Sequence, residues 1–164
     1  MYKNYEIEGT AGTEGAVMRK LKTRVLLVRE GRSRKTMQVQ NPADAYRFLA
    51  GEARNLDREH FWRMDLDGRN QVLGYEVVSV GTLTASLVHP REVFKGAILA
   101  NAGGIILAHN HPSGEARPSS EDREVTRRLT QVGKLIGIPV LDHITLADRK
   151  FFSFREQGLM GDRS

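Results

Sequence analysis

The feature that most constrains the fold is the run Gly103-Gly104-Ile105-Ile106-Leu107-Ala108, which carries no polar side chain and has a helical pattern on either side. A strand with one wet face alternates apolar and polar residues, so an unbroken apolar run of this length reads as a strand buried on both faces. Upstream of it, His89-Pro90-Arg91-Glu92 opens a helix whose apolar stripe is Val93, Ala97 and Ile98, continuing to Ala100 and Ala102. Downstream, Ser119 opens another, with core positions Val125, Leu129, Val132 and Ile136 spaced by four, three and four. That spacing keeps the four on one helical face.

The remaining elements follow from turn chemistry. Asn41-Pro42 opens an earlier helix with Ala45, Phe48 and Leu49 at helical spacing, since proline suits the first helical position. Phe61 to Leu66 reads as a strand that Asp67-Gly68 turns into Val72 to Val80, a hairpin. Ile138 to Leu146 and Phe151 to Phe154 read as closing strands. Residues 1–20 are polar with Gly9, Gly12 and Gly15 and read as an arm. Thr23 to Val28 and Thr36 to Val39 read as a strand pair turned at Gly31 to Arg34. The expectation is an arm and strand pair over 1–40 and one α+β domain over 41–160, with a sheet and three main helices.

Composition narrows the function. A chain of 164 residues, 40% hydrophobic and 27% charged, suits a soluble domain with a proper core. No apolar run nears the ~20 residues of a membrane-spanning helix. Met1-Tyr2-Lys3-Asn4-Tyr5-Glu6 lacks the layout of a signal peptide, so the cytoplasm is the expected location. The absence of cysteine rules out disulfides, a thiolate nucleophile and a Cys-based zinc site. The net charge of +5 allows weak association with polyanions such as DNA. No H-E-x-x-H, P-C-x-x-C or G-x-x-x-x-G-K is present, which excludes zincin, zinc-deaminase and P-loop chemistry.

The chemistry concentrates after the buried strand. His109 and His111 are two apart, and strand side chains at i and i+2 share a face, so both imidazoles can reach one ion. Pro112 and Gly114 turn the chain at once, leaving the pair at a strand edge. Asp122 falls in the first turn of the Ser119 helix, where the helix N-terminus favours its ionised form. Two His and one carboxylate make a three-ligand zinc set with a fourth position left for water, whose pKa the metal lowers. A carboxylate must then take and return a proton. Glu59 is the candidate, with Glu52, Glu76 and Glu92 as rivals. Ser119-x-x-Asp122 is equally a helix capping box, and both roles can hold together. Asp142 and His143 are neighbours on a strand and point to opposite faces, so at most one meets the pocket, in a supporting hydrogen bond. His89 and His60 read as cap or surface residues, and Trp62 with Phe61, Phe94, Phe151, Phe152 and Phe154 as core. Gly103-Gly104 is expected to allow close packing beside the site.

His109-Asn110-His111-Pro112-Ser113-Gly114, then Pro118-Ser119, then Asp122, resembles the JAMM motif of the MPN+/JAB metalloprotease superfamily. With His89-Pro90-Arg91-Glu92-Val93-Phe94 and Leu141-Asp142-His143-Ile144 added, the chain over about Pro42 to Leu159 resembles the bacterial RadC family. The resemblance implies an MPN/JAB-type (cytidine-deaminase-like) central mixed sheet flanked by helices. It implies zinc on His109, His111 and Asp122, with Glu59 in the upstream glutamate position. Ser119 takes the place of the serine that steadies the oxyanion. The activity implied is zinc-dependent hydrolysis of a peptide or isopeptide bond in a peptide or protein substrate. The rival expectations are a DNA-associated accessory protein of repair or mobile-element biology, and a metal-dependent nuclease using the same site. RadC proteins of full length carry an N-terminal helix-hairpin-helix region; its absence here suggests a short, stand-alone relative.

Overall fold

The computed structural model describes residues 37–81 and 88–160. The arm expected over residues 1–20, the strand expected over Thr23 to Val28, its turn and Thr36 lie outside them, and of the expected return strand Gln38 makes an isolated bridge to Gln71. The described elements are α1 (Pro42–Leu49), β1 (His60–Leu66), β2 (Val72–Val80), α2 (Pro90–Leu99), β3 (Gly104–Asn110), α3 (Ser120–Ile136), β4 (Val140–Ala147) and β5 (Lys150–Ser153). They form the α+β arrangement of JAB/MPN type: one five-stranded mixed sheet and three helices.

Strand order is β2-β1-β3-β4-β5, which puts the apolar run at the centre as β3, buried at all seven positions. β3 runs antiparallel to β1 and parallel to β4. A parallel neighbour needs a crossover, and α3 supplies it. Ser119 caps α3 with its side chain, and Gly137 closes it in the left-handed conformation at φ 75°.

The sheet separates two apolar layers. Phe61, Ile105 and Leu107 face Val93 of α2 and Val125 and Leu129 of α3. Their sequence neighbours Trp62, Ile106 and Ala108 face Ala45 and Leu49 of α1 on the other side. Each large side chain so buried stabilises the fold by about 1.5–3 kcal/mol. Trp62, Phe61, Phe94 and Phe154 are core as expected, whereas Phe151 and Phe152 are only half-buried.

Two helical positions differ from expectation. Ile98 and Ile136 are 60% and 43% exposed. Ile98 lies one residue past the buried Ala97 and so turns about 100° off the stripe. At the end of α3 it is main chain rather than a side chain that meets the core: a Cβ on Gly133 would come within 2.6 Å of the Ile138 carbonyl oxygen. Gly103 and Gly104 do pack closely, against Asp67-Gly68 and against Leu141. They do so at the opposite end of β3 from His109, not beside the site.

Inside the α2 side of the sheet sits a charge cluster. Arg63 is 2% exposed and forks onto Asp65 through Nε and Nη2 at 2.7 and 3.0 Å. It also donates to the Val93 carbonyl at 2.9 Å and pairs with Glu76 at 2.8 Å. Gly96 leaves the room for this, since a Cβ there would lie 2.3 Å from Nη2. Among the described residues, no helix is long and apolar enough to cross a membrane.

Candidate metal centre

β3 delivers His109 from its last turn of pleat and His111 just beyond its end, while α3 begins over them with Asp122 in its first turn. The expected sharing of a face holds: the two Nε2 atoms lie 3.1 Å apart. Asp122 Oδ1 is 3.5 Å from His109 Nε2, and Oδ2 is 3.4 Å from His111 Nε2. These three side chains can hold a metal ion together. Bonds of roughly 2.0–2.1 Å in a tetrahedron put donor atoms about 3.3 Å apart, which these separations match.

Hydrogen bonding explains why the atoms converge as acceptors. His111 Nδ1 lies 2.7 Å from the Glu115 carbonyl oxygen. A carbonyl only accepts, so Nδ1 carries a proton, and in the neutral ring it is Nε2 that offers the lone pair. Asp122 Oδ2 accepts from the Ser119 N–H and hydroxyl, both at 2.7 Å. Ser119 Oγ in turn accepts from the Asp122 N–H at 3.1 Å, so the capping box and the aspartate's aim coexist. Burial would raise Asp122, yet His109, His111 and Ser119 hold it far below the usual carboxylate range. The two imidazoles move oppositely beside this one carboxylate. Enclosure pushes His109 down, whereas His111, partly open to solvent, is drawn up by its contact with Asp122.

Glu59 precedes β1, and continuing the pairing Phe61↔His109 by two residues sets it opposite His111. Its charge acts on both His109 and His111. The rivals lie elsewhere: Glu76 pairs with Arg63, Glu92 with Lys95 at 2.7 Å, and Glu52 with the Tyr75 hydroxyl.

Asn110 stands in the sequence motif only as the residue between the two histidines. Its side chain, on a residue 4% exposed, accepts from the His60 N–H at 2.7 Å and donates to the Arg58 carbonyl at 3.1 Å. It thereby grips the main chain on both sides of Glu59. A polar residue between two expected ligands on an otherwise apolar strand was the available signal. Asn110→Ala is expected to speed amide exchange at His60 about tenfold, the loss of roughly one hydrogen bond. Unchanged exchange there would show that the grip is not what orders the segment.

Asp142 and His143 do diverge. His143 is fully buried with Nε2 2.8 Å from His109 Nδ1. Asp142 turns to the end of β5, accepting from the Ser153 hydroxyl at 2.7 Å and the Arg155 N–H at 3.0 Å. His89 caps α2 through Nδ1, and His60 stacks on Trp62 with ring centres 5.6 Å apart. Two clefts open around Pro112. One of about 490 Å³ is lined by Tyr46, Arg54, Asn110, His111, Leu146 and Arg149 among others, and one of about 410 Å³ by Asp57, Arg58, Glu59 and Gly81.

Residues 39–159 match the model of the RadC-like JAB domain. The UPF0758 protein of Symbiobacterium thermophilum is 56% identical over 120 residues, covering 73% of this chain and 51% of its own length. That of Moorella thermoacetica is 52% identical over 122 residues, covering 74% and 53%. That of Halalkalibacterium halodurans is 50% identical over 134 residues, covering 78% and 58%. The chain thus spans about half the length of the curated relatives it matches.

Proposed function

We propose, since this chain belongs to the RadC-like JAB domain family, that it is a zinc-dependent hydrolase cleaving a peptide or isopeptide bond. The observation that carries this reading is the convergence of His109 Nε2, His111 Nε2 and the Asp122 carboxylate at 3.1–3.5 Å. Three acceptors at that range repel one another unless a cation or a proton sits between them. Nitrogen and oxygen donors in tetrahedral spacing favour zinc over the hard ions that prefer larger all-oxygen shells. When bound, zinc supplies a Lewis acid that acidifies a water and polarises an amide carbonyl.

The protein's own residues do the rest in this proposal. Glu59 takes a proton from the attacking water and returns it to the leaving amine. Ser119 has two donors on Asp122 Oδ2. Its N–H can keep that bond while the hydroxyl turns to a developing oxyanion. In this proposal an extended polypeptide lies along the two clefts that share Pro112, one lined by His111 and the other by Glu59.

The test is metal analysis followed by turnover. One zinc per chain with cleavage of a peptide library, both lost in His109→Ala, supports the reading; a protein that binds no zinc at micromolar metal overturns it. The net charge of +5 favours a second reading, in which DNA is the partner. DNA cleavage lost in His109→Ala would assign the site to a nuclease, and salt-sensitive DNA binding that survives it to an accessory role.

A further inference from the structure

We propose that His143 and Thr126 fix the tautomer of His109, so that its Nε2 lone pair is set toward the metal position in advance. The inference rests on the reading of His109 as a ligand. It concerns the hydrogen bonds on the far side of that ring, away from the metal position.

His109 Nδ1 lies 2.8 Å from His143 Nε2, His143 Nδ1 lies 2.6 Å from Thr126 Oγ1, and Thr126 Oγ1 lies 2.5 Å from the main-chain oxygen of Asp122. The final group decides all the others. A carbonyl has no proton to give, so the Thr126 hydroxyl donates to it. That hydroxyl has a single proton, and it must therefore accept from His143, whose Nδ1 carries hydrogen. A neutral imidazole has one N–H, which leaves His143 Nε2 as an acceptor and makes His109 Nδ1 the donor. His109 is then bare at Nε2. One main-chain oxygen sets three protons.

Neutrality follows from the surroundings. His143 is wholly buried, stacked on Phe154 with ring centres 4.6 Å apart and edge-on to Phe61 at 5.5 Å. An imidazolium there would be a desolvated charge in a largely apolar cage, hydrogen-bonded to His109 and Thr126 and not to a carboxylate. The chain of bonds draws on β3, β4 and α3 in turn and ends on Asp122, itself one of the converging three. Packing alone does not require it, because a phenylalanine would satisfy the ring contacts with Phe154 and Phe61 equally well.

That difference supplies the experiment. In metal-free protein with 15N-labelled histidine, two-bond nitrogen–proton spectra report which ring nitrogen is protonated. His109 and His143 are both expected as the Nδ1–H form. His143→Phe keeps the stacking and removes the acceptor; His109 should lose its single tautomer and zinc affinity, read by chelator competition, should fall about 10–100-fold. Thr126→Val should act in the same direction and Thr126→Ser should restore both readouts. The proposal is overturned if wild-type His109 carries its proton on Nε2. Zinc affinity within about twofold of wild type in both His143→Phe and Thr126→Val would also overturn it. Should His143→Phe not fold, the wild-type spectrum and the Thr126 pair decide. A protein with Nδ1–H His109 that takes up no zinc removes the metal reading alone, so the two failures are distinguishable.

Discussion

Glu59→Gln is expected to cut amide-bond turnover by about 10²–10⁴-fold while leaving one zinc bound. Glutamine has the size of glutamate and keeps its carbonyl as an acceptor, but it cannot take a proton from water at neutral pH. The metal should stay because the converging atoms are those of His109, His111 and Asp122, without Glu59. What glutamine also removes is a negative charge that His109 and His111 both feel. A modest fall in zinc affinity is therefore expected beside the much larger fall in rate. The measurement is kcat in metal-saturated samples, with zinc content determined on the same material. Turnover within tenfold of wild type would transfer the proton-handling role away from Glu59.

The largest effect on stability is expected for Arg63→Met, a loss of about 3–5 kcal/mol. Methionine fills much of the same volume, yet Asp65, 4% exposed, would lose both its bonds to the guanidinium, and the Val93 carbonyl would lose a donor. A domain holds only about 5–15 kcal/mol in total, so the change approaches the limit of folding. Burial already holds the Asp65 carboxyl above its ordinary value, with Arg63 pulling the other way. Removing Arg63 raises it further, and a carboxyl with a raised folded value binds a proton on folding. Its contribution is then retained below the unfolded pKa and lost as pH rises. The deficit of the variant, read from urea midpoints, should accordingly grow from about pH 4 to pH 7. A deficit independent of pH would mean that solvent or another donor reaches Asp65.

The sequence made the converging trio legible because its geometry is local. His109 and His111 are separated by one strand period, and Ser119-x-x-Asp122 is a helix start that follows within one loop. Glu59 was harder, since only the antiparallel pairing of β1 with β3 brings residue 59 back to residue 111. The bond from His109 to His143 spans 34 residues and depends on the parallel register of β3 with β4, a quantity with no local trace. Arg63 and Asp65 did leave a trace: two opposite charges, one strand period apart, inside the otherwise apolar Phe61-Trp62-Arg63-Met64-Asp65-Leu66. Periodicity failed at Ile136 because it reports which face of a helix is apolar, not where along the helix that face still meets the core, and at Ile98 because an apolar residue next to the stripe is not on it.

Asn110 and its neighbours join what would otherwise be separate parts. Successive residues at the end of β3 and just past it point a pair of imidazoles one way and, between them, hold the main chain at the start of β1 the other way. Slippage of β3 by a single residue would scramble both arrangements at once. Grafting this chemistry onto another scaffold therefore calls for two hydrogen-bonded antiparallel strands with a helix arriving over their end; a transplanted loop would carry the donors without their frame.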